Sequence, residues 1–403
     1  MKTIIATLAL FTAAVSSASA QNHEVVDWTS PTLIEGRANM FYPGLTYLTF
    51  QHMDKLFATR EVEASGDVWA LLYAPRDIGN RFTLNDEGEV TLDRFLEATR
   101  TNAFLVIKDG EIVYETYRNG AGPDTRLVSF SMAKSITSTL IGLALADGYI
   151  ESLDDPVTKY VPELEGSGYD GVSIRDVLLM RSGVAWEERY EFGSDTQLTQ
   201  VHDNALVAYN YRWCDYATDQ SEPDTEPGSV FNYATLDTSV LGCVLESAIG
   251  KTGAEYMSEK IWKPAGMEKA GYWIMDGPED VGREFYGAGF NATLRDYGRF
   301  GLMILNDGVA NGTQIVPSDW LAEATVPEDG FEPTSEGAPF GYQYQWWTLP
   351  DSNAFAAIGL HDQYIFIDPD SDTVIVKLSY SMEPLGREEE TIAAFERIVA
   401  NLD

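Results

Sequence analysis

The sequence is poor in basic residues, and this shortage excludes several classes of partner. Lys and Arg number 27 against 63 Asp and Glu, which gives a formal net charge of −36 over 403 residues. A chain this acidic repels phosphate backbones and anionic lipid surfaces, so we expect no nucleic-acid partner. The excess of acid favours a solvating surface over a site for a cationic partner, because net charge bears on solubility more directly than on function.

Cysteine and histidine are also scarce. Two cysteines in a chain of this length do not make a disulfide scaffold. Cys243 lies in the apolar run 240–245, which favours a buried free thiol over a bridge to Cys214. No metal site is predicted, because the motif His-Glu-x-x-His is absent and the four histidines are scattered singly, at His23, His52, His202 and His361.

Long apolar runs are missing, apart from one near the N-terminus. Residues 4–15 are mainly apolar, Lys2 precedes them, and Ala18-Ser19-Ala20 has the small-x-small pattern of a cleavage site. The run is shorter than the roughly 18 residues that a membrane-spanning helix needs. We therefore expect a signal peptide over residues 1–20, cleaved after Ala20, and a periplasmic or secreted protein without membrane insertion.

The remaining chain has enough apolar material, 44% of its residues, for one large core or two modest ones. Short β-rich runs lie near both ends of a mainly helical middle. The predicted strands cover 103–107, 111–117, 355–359, 363–367 and 373–380, and the predicted long helices cover 130–146 and 387–402. Strands from distant parts of the chain predict one sheet with a helical block inserted between them.

The fold class that follows is α+β, or mixed α/β, with two lobes and a cleft between them where small-molecule sites tend to form. After the signal peptide we expect an N-terminal region over 21–100. One main domain would follow over 101–403, with its helical lobe at about 149–340.

The strongest candidate for chemistry is Ser131-Met132-Ala133-Lys134, at the start of the first long helix. Residues three apart share a helix face, so the Lys134 amine can reach the Ser131 hydroxyl. Apolar neighbours would desolvate the lysine, which favours a neutral amine able to accept the proton of a serine nucleophile. The helix N-terminus adds N–H donors for an oxyanion. Taken alone, however, these residues favour a simpler interpretation, a capping serine followed by an exposed lysine.

The wider sequence resembles the penicillin-recognising serine hydrolases. Within them it is most similar to the class C β-lactamase-related branch, which includes carboxylesterases, D-aminopeptidases and 6-aminohexanoate-dimer hydrolase. The matching segments occur in the family's order at 131–148, 153–162, 174–183, 231–242, 287–293 and 359–364. Such an ordered set is far more specific than any single motif. The resemblance implies a β-lactamase/transpeptidase-like fold, with an antiparallel sheet flanked by helices and an inserted helical lobe.

The resemblance also implies roles for particular residues. Tyr233, in Tyr233-Ala234-Thr235, matches the family's tyrosine that shares the work of general base with the lysine. The backbone N–H groups of Ser131 and Leu360 match the oxyanion donors. Tyr190 matches a tyrosine that contacts the substrate and leaving amine in the nylon-oligomer hydrolase subgroup, with plain packing as the alternative. His361 is also expected to contact substrate, and Trp347 either lines the acyl pocket or anchors the strand that follows.

Three departures from the family pattern bear on the substrate. The literal Lys251-Thr252-Gly253 follows a helical run over 236–249, so we expect a turn at a helix end rather than the family's cleft strand. The Asn of the family's Tyr-x-Asn motif is also missing. Both changes remove groups that hold a β-lactam, which favours ester or amide hydrolysis over antibiotic hydrolysis. Asp362 stands where relatives often have glycine and is expected to narrow or acidify the cleft mouth.

Taken together, the sequence predicts a serine hydrolase that cleaves a carboxylic ester or small amide through an acyl-enzyme on Ser131. Lys134 and Tyr233 would act as the general base, and no metal or organic cofactor would be needed. One alternative is a β-lactamase or D-Ala-D-Ala peptidase. Another is a catalytically silent binding protein on the same fold.

Overall fold

The computed structural model describes residues 26–326, 340–350, 352–382 and 385–402. The predicted signal peptide over 1–20 and its cleavage site lie outside these ranges. Within them, no helix has both the length and the apolar character needed to cross a membrane.

The strands of the described residues form an eight-stranded sheet, a four-stranded sheet and two short hairpins. They are β1 (Thr59–Val62), β2 (Leu72–Tyr73), β3 (Phe82–Leu84), β4 (Gly88–Val90), β5 (Thr101–Lys108), β6 (Glu111–Tyr117), β7 (Leu127–Val128), β8 (Gly271–Ile274), β9 (Phe290–Ala292), β10 (Val309–Ala310), β11 (Thr313–Gln314), β12 (Gly341–Gln343), β13 (Trp346–Thr348), β14 (Phe355–Gly359), β15 (Gln363–Asp368) and β16 (Thr373–Ser379).

The α-helices lie mainly between β7 and β12. They are α1 (Pro31–Ala38), α2 (Thr46–Thr49), α3 (Leu92–Ala98), α4 (Met132–Ala146), α5 (Ile174–Leu178), α6 (Gln197–Val201), α7 (Trp213–Asp219), α8 (Thr235–Ile249), α9 (Gly253–Met257), α10 (Leu294–Leu305), α11 (Ser318–Ala324) and α12 (Glu388–Leu402). A π-helical segment (His202–Val207) continues α6.

The eight-stranded sheet is assembled from both ends of the chain, as predicted. Its order is β12-β13-β14-β15-β16-β5-β6-β2, and β16 meets β5 with Leu378 opposite Ala103. Strand β5 is buried on both faces because alternate side chains enter different cores. Leu105 joins the core beneath α4 and α10, while Phe104 packs against Phe395 of α12. The fold is therefore a mixed α/β arrangement around mainly antiparallel sheets.

Most of the predicted local elements are confirmed. The predicted hairpin is β5–β6, the helix predicted over 130–146 is α4, and the helix predicted over 387–402 is α12. Lys251-Thr252-Gly253 forms a turn between helices, because α8 ends before Gly250, whose φ is +66°, and Thr252 caps α9.

The predicted boundaries between regions differ from the contacts in the structure. Strand β1 pairs with β8 and β2 pairs with β6, so residues 59–73 are built into both main sheets. Within 149–340, α10 packs against β5, β15 and β16 rather than with the other helices. Strands β1, β2 and β8 are only two to four residues long. This is too short for the alternation of apolar and polar residues that would identify a strand in the sequence.

The prediction of a free thiol at Cys243 is wrong, because Cys214 and Cys243 form a disulfide. The apolar run around Cys243 is part of helix α8, and α7, which carries Cys214, packs against it. The apolar pattern indicated burial correctly, but it carried no information about which element would lie opposite.

Candidate active site

Ser131 and Lys134 meet at the start of α4. Ser131 is the residue before the helix, yet its side chain does not cap it. The Lys134 side chain is buried, and its Nζ lies 3.0 Å from Ser131 Oγ, 3.0 Å from Thr235 Oγ1 and 2.9 Å from the Gly287 carbonyl oxygen. The alternative of a capping serine beside an exposed lysine therefore does not hold.

Burial has a direct chemical consequence for Lys134. Removing an ammonium group from water disfavours its charged form, and this desolvation lowers the pKa of Lys134 to about 8. The negative charge of Glu188 opposes the shift. Near pH 8 a large fraction of the Lys134 side chains is thus a neutral amine, able to accept a proton from the adjacent hydroxyl.

Tyr233 lies on the other side of the serine. Its ring centroid is 5.0 Å from Lys134 Nζ, and it stacks on Trp347 with 5.4 Å between the two ring centroids. Burial raises the pKa of Tyr233 above its ordinary value. The phenol therefore keeps its proton at neutral pH, which suits a donor better than a phenolate base.

Glu188 is the part of this network to which sequence reasoning assigned no role. Its carboxylate accepts hydrogen bonds from the Thr235 backbone N–H at 2.9 Å, from Thr235 Oγ1 at 2.5 Å and from the Tyr190 hydroxyl at 2.9 Å. It thereby fixes Thr235, which in turn contacts Lys134. In the sequence, the only indication that Glu188 belongs to the site was its position two residues before Tyr190.

The end of β14 brings a second backbone segment against the serine. A Cβ atom placed on Gly359 would lie 2.4 Å from the Ser129 carbonyl oxygen and 3.0 Å from the Ser131 nitrogen, so only glycine permits this approach. Among the described residues, neither Ser131 N–H nor Leu360 N–H donates to a backbone carbonyl. Both N–H groups are thus free for an oxyanion.

Backbone strain flanks these two N–H groups. Phe130, just before the serine, has a φ of +43°, and His361 and Asp362, just after Leu360, have φ values of +61° and +68°. Non-glycine residues rarely adopt this region, and such residues cluster at functional sites.

A cleft of about 600 Å³ opens at Ser131. The sequence-predicted residues that line it are Ser131, Tyr190, Tyr233, Trp347 and Leu360. Four acidic residues line it as well: Glu188, Glu388, Glu389 and Glu390. No group of three or more His, Cys, Asp or Glu in the described ranges could hold a metal ion.

His361 and Asp362 do not line this cleft, contrary to prediction. The His361 imidazole packs among Phe41, Phe50 and Phe130, and its Nδ1 lies 2.7 Å from the Ser381 carbonyl oxygen. Desolvation lowers the pKa of His361 to about 4, so the ring is neutral. The neutral ring therefore packs in the apolar core and stabilises the turn after Leu360 on the side away from the cleft.

Asp362 is buried beside Lys377, with 3.4 Å between Oδ2 and Nζ. The tight turn between β14 and β15 directs its carboxylate toward β16. The expectation that it acidifies the cleft mouth is wrong, because the lysine neutralises it there.

Comparison with known proteins agrees with this geometry. The β-lactamase family profile matches residues 91–397. The chain is 33% identical over 305 residues to 6-aminohexanoate-dimer hydrolase of Paenarthrobacter ureafaciens, an alignment that covers 73% of this chain and 76% of the relative.

Solved structures show the same fold. A Bacillus anthracis protein, proposed to be a 6-aminohexanoate-dimer hydrolase, superposes with a TM-score of 0.81 at 26% identity, covering 91% of this chain and 95% of the other. A family VIII carboxylesterase superposes with a TM-score of 0.58 at 17% identity, covering 76% and 94%. The chain belongs to the β-lactamase family and is a hydrolase of the serine β-lactamase type.

Proposed function

We propose that this protein hydrolyses carboxylic esters or small amides through an acyl-enzyme on Ser131. The observation that carries the proposal is the fully buried Lys134 amine, 3.0 Å from the Ser131 hydroxyl and with its pKa lowered to about 8. A serine hydroxyl is a weak nucleophile on its own and becomes reactive when an adjacent base takes its proton.

In the acylation step, Ser131 Oγ bonds to the substrate's carbonyl carbon and its proton passes to the neutral Lys134 amine. The carbonyl oxygen becomes an oxyanion held by the N–H groups of Ser131 and Leu360. Tyr233 gives its proton to the leaving oxygen or nitrogen as that bond breaks. The proton on Lys134 then replaces the one that Tyr233 lost.

In the deacylation step, a water molecule attacks the acyl carbon and gives a proton to Lys134. The bond to Ser131 Oγ breaks, and the serine recovers its proton from Lys134. Lys134 thus serves as base in both halves, and Tyr233 as the proton donor to the leaving group. No step requires a metal or an organic cofactor.

We also propose that the protein is exported, with residues 1–20 as the signal peptide. The disulfide between Cys214 and Cys243 supports this proposal, since such bonds persist mainly in oxidising compartments. The acidic composition agrees with small-molecule substrates rather than nucleic acid.

The decisive experiment labels the mature protein with a fluorophosphonate and measures turnover of p-nitrophenyl acetate. We expect labelling at Ser131, and loss of both labelling and turnover in Ser131→Ala. Ser138→Ala is a matched control, because this serine lies on the same helix and its buried hydroxyl has no hydrogen-bond partner among the described residues. It should keep both activities.

The alternatives give different results in the same assay. Equal background rates in the wild type and Ser131→Ala, with no label on Ser131, would favour a catalytically silent binding protein. Nitrocefin turnover that exceeds ester turnover would favour a β-lactamase. The first amide to test is 6-aminohexanoate dimer, which the name of the Paenarthrobacter relative specifies.

A further inference from the structure

A second, smaller cavity lies on the inner side of Ser131. It has a volume of about 50 Å³ and a mostly apolar wall. Ser131 and Leu360 line both this inner cavity and the open cleft, so the nucleophile lies where the two spaces meet. The rest of the wall comes from several distant parts of the chain and includes Phe41, Leu206 and Phe285.

The two spaces differ in their access to the proton donor. Tyr233 lines the open cleft and is not among the residues that line the inner cavity. The leaving group must stand beside Tyr233 to receive its proton, so the leaving alcohol or amine belongs in the open cleft. The acyl chain, on the opposite side of the carbonyl carbon, is then directed inward.

We propose that the inner cavity is the acyl subsite and that it restricts the substrate to short, uncharged acyl groups. This inference rests on the proposed acyl-enzyme function. The restriction follows from volume, because a cavity of about 150 Å³ holds the six carbons of benzene. On that scale the inner cavity holds about two carbons beyond the carbonyl, as in an acetyl or propionyl group.

The chemistry of the wall disfavours an acyl group that carries an ammonium. The carboxylate of Glu188 reaches this wall, but its oxygens already accept hydrogen bonds from Thr235 and Tyr190. His202 also lines the cavity, in contact with the Phe41 and Phe192 rings. An ammonium group entering this space would lose its hydration without gaining an unoccupied carboxylate.

The first test measures kcat/KM for p-nitrophenyl esters from acetate to octanoate. We expect the highest values for acetate and propionate, and a fall of about tenfold or more by hexanoate, since the extra methylenes have no space. The 6-aminohexanoate dimer, with a long charged acyl chain, should be a poorer substrate than an N-acetyl amide of the same amine.

A variant at Leu206 tests whether the volume of the inner cavity limits the length of the acyl chain. Leu206 is buried in the π-helical segment, and Leu206→Ala removes three carbons from the wall. We expect the hexanoate-to-propionate ratio of kcat/KM to rise about tenfold. Leu245→Ala, a buried position that lines neither space, should keep the wild-type profile.

A second readout does not depend on deacylation or on the folding of a variant. The p-nitrophenyl alkylphosphonates react when Ser131 Oγ bonds to phosphorus and p-nitrophenolate leaves, and their alkyl chains can be matched to the esters. We expect ethylphosphonate to label wild-type Ser131 about tenfold faster than hexylphosphonate.

The outcomes separate this inference from the proposed function. Ester turnover that depends on Ser131 but peaks at hexanoate or octanoate, with matching phosphonate rates, would overturn the acyl subsite and leave the serine mechanism intact. An unchanged hexanoate-to-propionate ratio of kcat/KM in a folded Leu206→Ala variant would also overturn the acyl subsite. Absence of turnover and of labelling with every chain length would overturn both.

Discussion

Within the described part of the chain, Glu188 is the carboxylate whose charge influences the pKa of Lys134. The pKa of Lys134, about 8, is the balance between desolvation, which lowers it, and the charge of Glu188, which raises it. A neutral Lys134 is the active form in the proposed mechanism. Activity should therefore rise with pH as Lys134 loses its proton, and fall below that range as the amine becomes charged.

Glu188→Gln should move this rise to lower pH, because it removes the charge that favours the ammonium form. The measurement is kcat/KM against pH for the wild type, Glu188→Gln and Glu187→Gln. The neighbour Glu187 is exposed and pairs with Arg189, so its variant should follow the wild-type profile. An unshifted profile in Glu188→Gln would show that Glu188 does not tune the base.

At the scale of single residues, helical spacing allowed Lys134 to reach Ser131, and the family resemblance favoured this pairing over a capping serine with an exposed lysine. The sequence did not reveal Glu188, whose partner Thr235 lies far along the chain. Nor could it show that His361 faces three phenyl rings. The direction of the His361 side chain depends on the backbone conformation of the strained turn, and this conformation cannot be inferred from the residue types.

At the scale of elements, the approach of β14 to the start of α4 depends on one glycine. In Gly359→Ala, the added methyl group would meet the Ser129 carbonyl oxygen at 2.4 Å and force the strand away from Ser131. We expect kcat to fall by about a hundredfold to a thousandfold, the range for losing one oxyanion donor.

The control for this prediction is Gly122→Ala, where the added methyl group meets open space. Its kcat and melting temperature should match the wild type. If Gly359→Ala keeps full activity in a folded protein, the Leu360 N–H does not contribute to the oxyanion site.

The link between α7 and α8 gives a prediction about stability. The disulfide closes a segment with a sequence separation of 29 residues. Such a loop corresponds to roughly 3 to 4 kcal/mol of stabilisation in the chain-entropy account. A Cys214→Ser/Cys243→Ser double variant should unfold at a lower temperature, as followed by calorimetry.

Reductant provides the internal control for this stability effect. It should lower the melting temperature of the wild type toward that of the double variant, and leave the double variant unchanged. A wild type that is insensitive to reductant after denaturation and refolding would argue against a stabilising bridge.

Elements were predictable where they were long. Strands β5, β6, β15 and β16 and helices α4 and α12 have clear periodic patterns, and each was found within a few residues of its predicted bounds. The four-stranded sheet was not foreseen, because β1, β7, β8 and β9 have two to four residues each and come from three distant segments. Only tertiary pairing defines such strands.

At the scale of the whole molecule, the net charge of −36 and the acidic wall of the cleft act in the same direction. A negative field attracts cations and concentrates them at the cleft. We expect a cationic ester to be hydrolysed about tenfold faster in kcat/KM than an anionic ester with the same acyl group at low ionic strength.

The dependence of kcat/KM on salt distinguishes long-range attraction of the cationic ester from its direct contact with an acidic residue. Raising the ionic strength shortens the range of the field, so the difference between the two esters should shrink. A neutral ester of the same size is the control and should respond little. Equal rates for the cationic and anionic esters at low salt would contradict a role for the charge.

The pairing of β5 with β16 has a consequence for the order in which the protein becomes active. The proposed nucleophile Ser131 and its proposed base Lys134 are made early in synthesis, whereas Gly359, Leu360 and the strand that pairs with Ala103 emerge near the end. Such distant pairing makes folding slow, because long loops must close first. In the proposed mechanism, a partly synthesised chain thus carries Ser131 without the Leu360 N–H that would complete the oxyanion site, and hydrolysis must await the last strands.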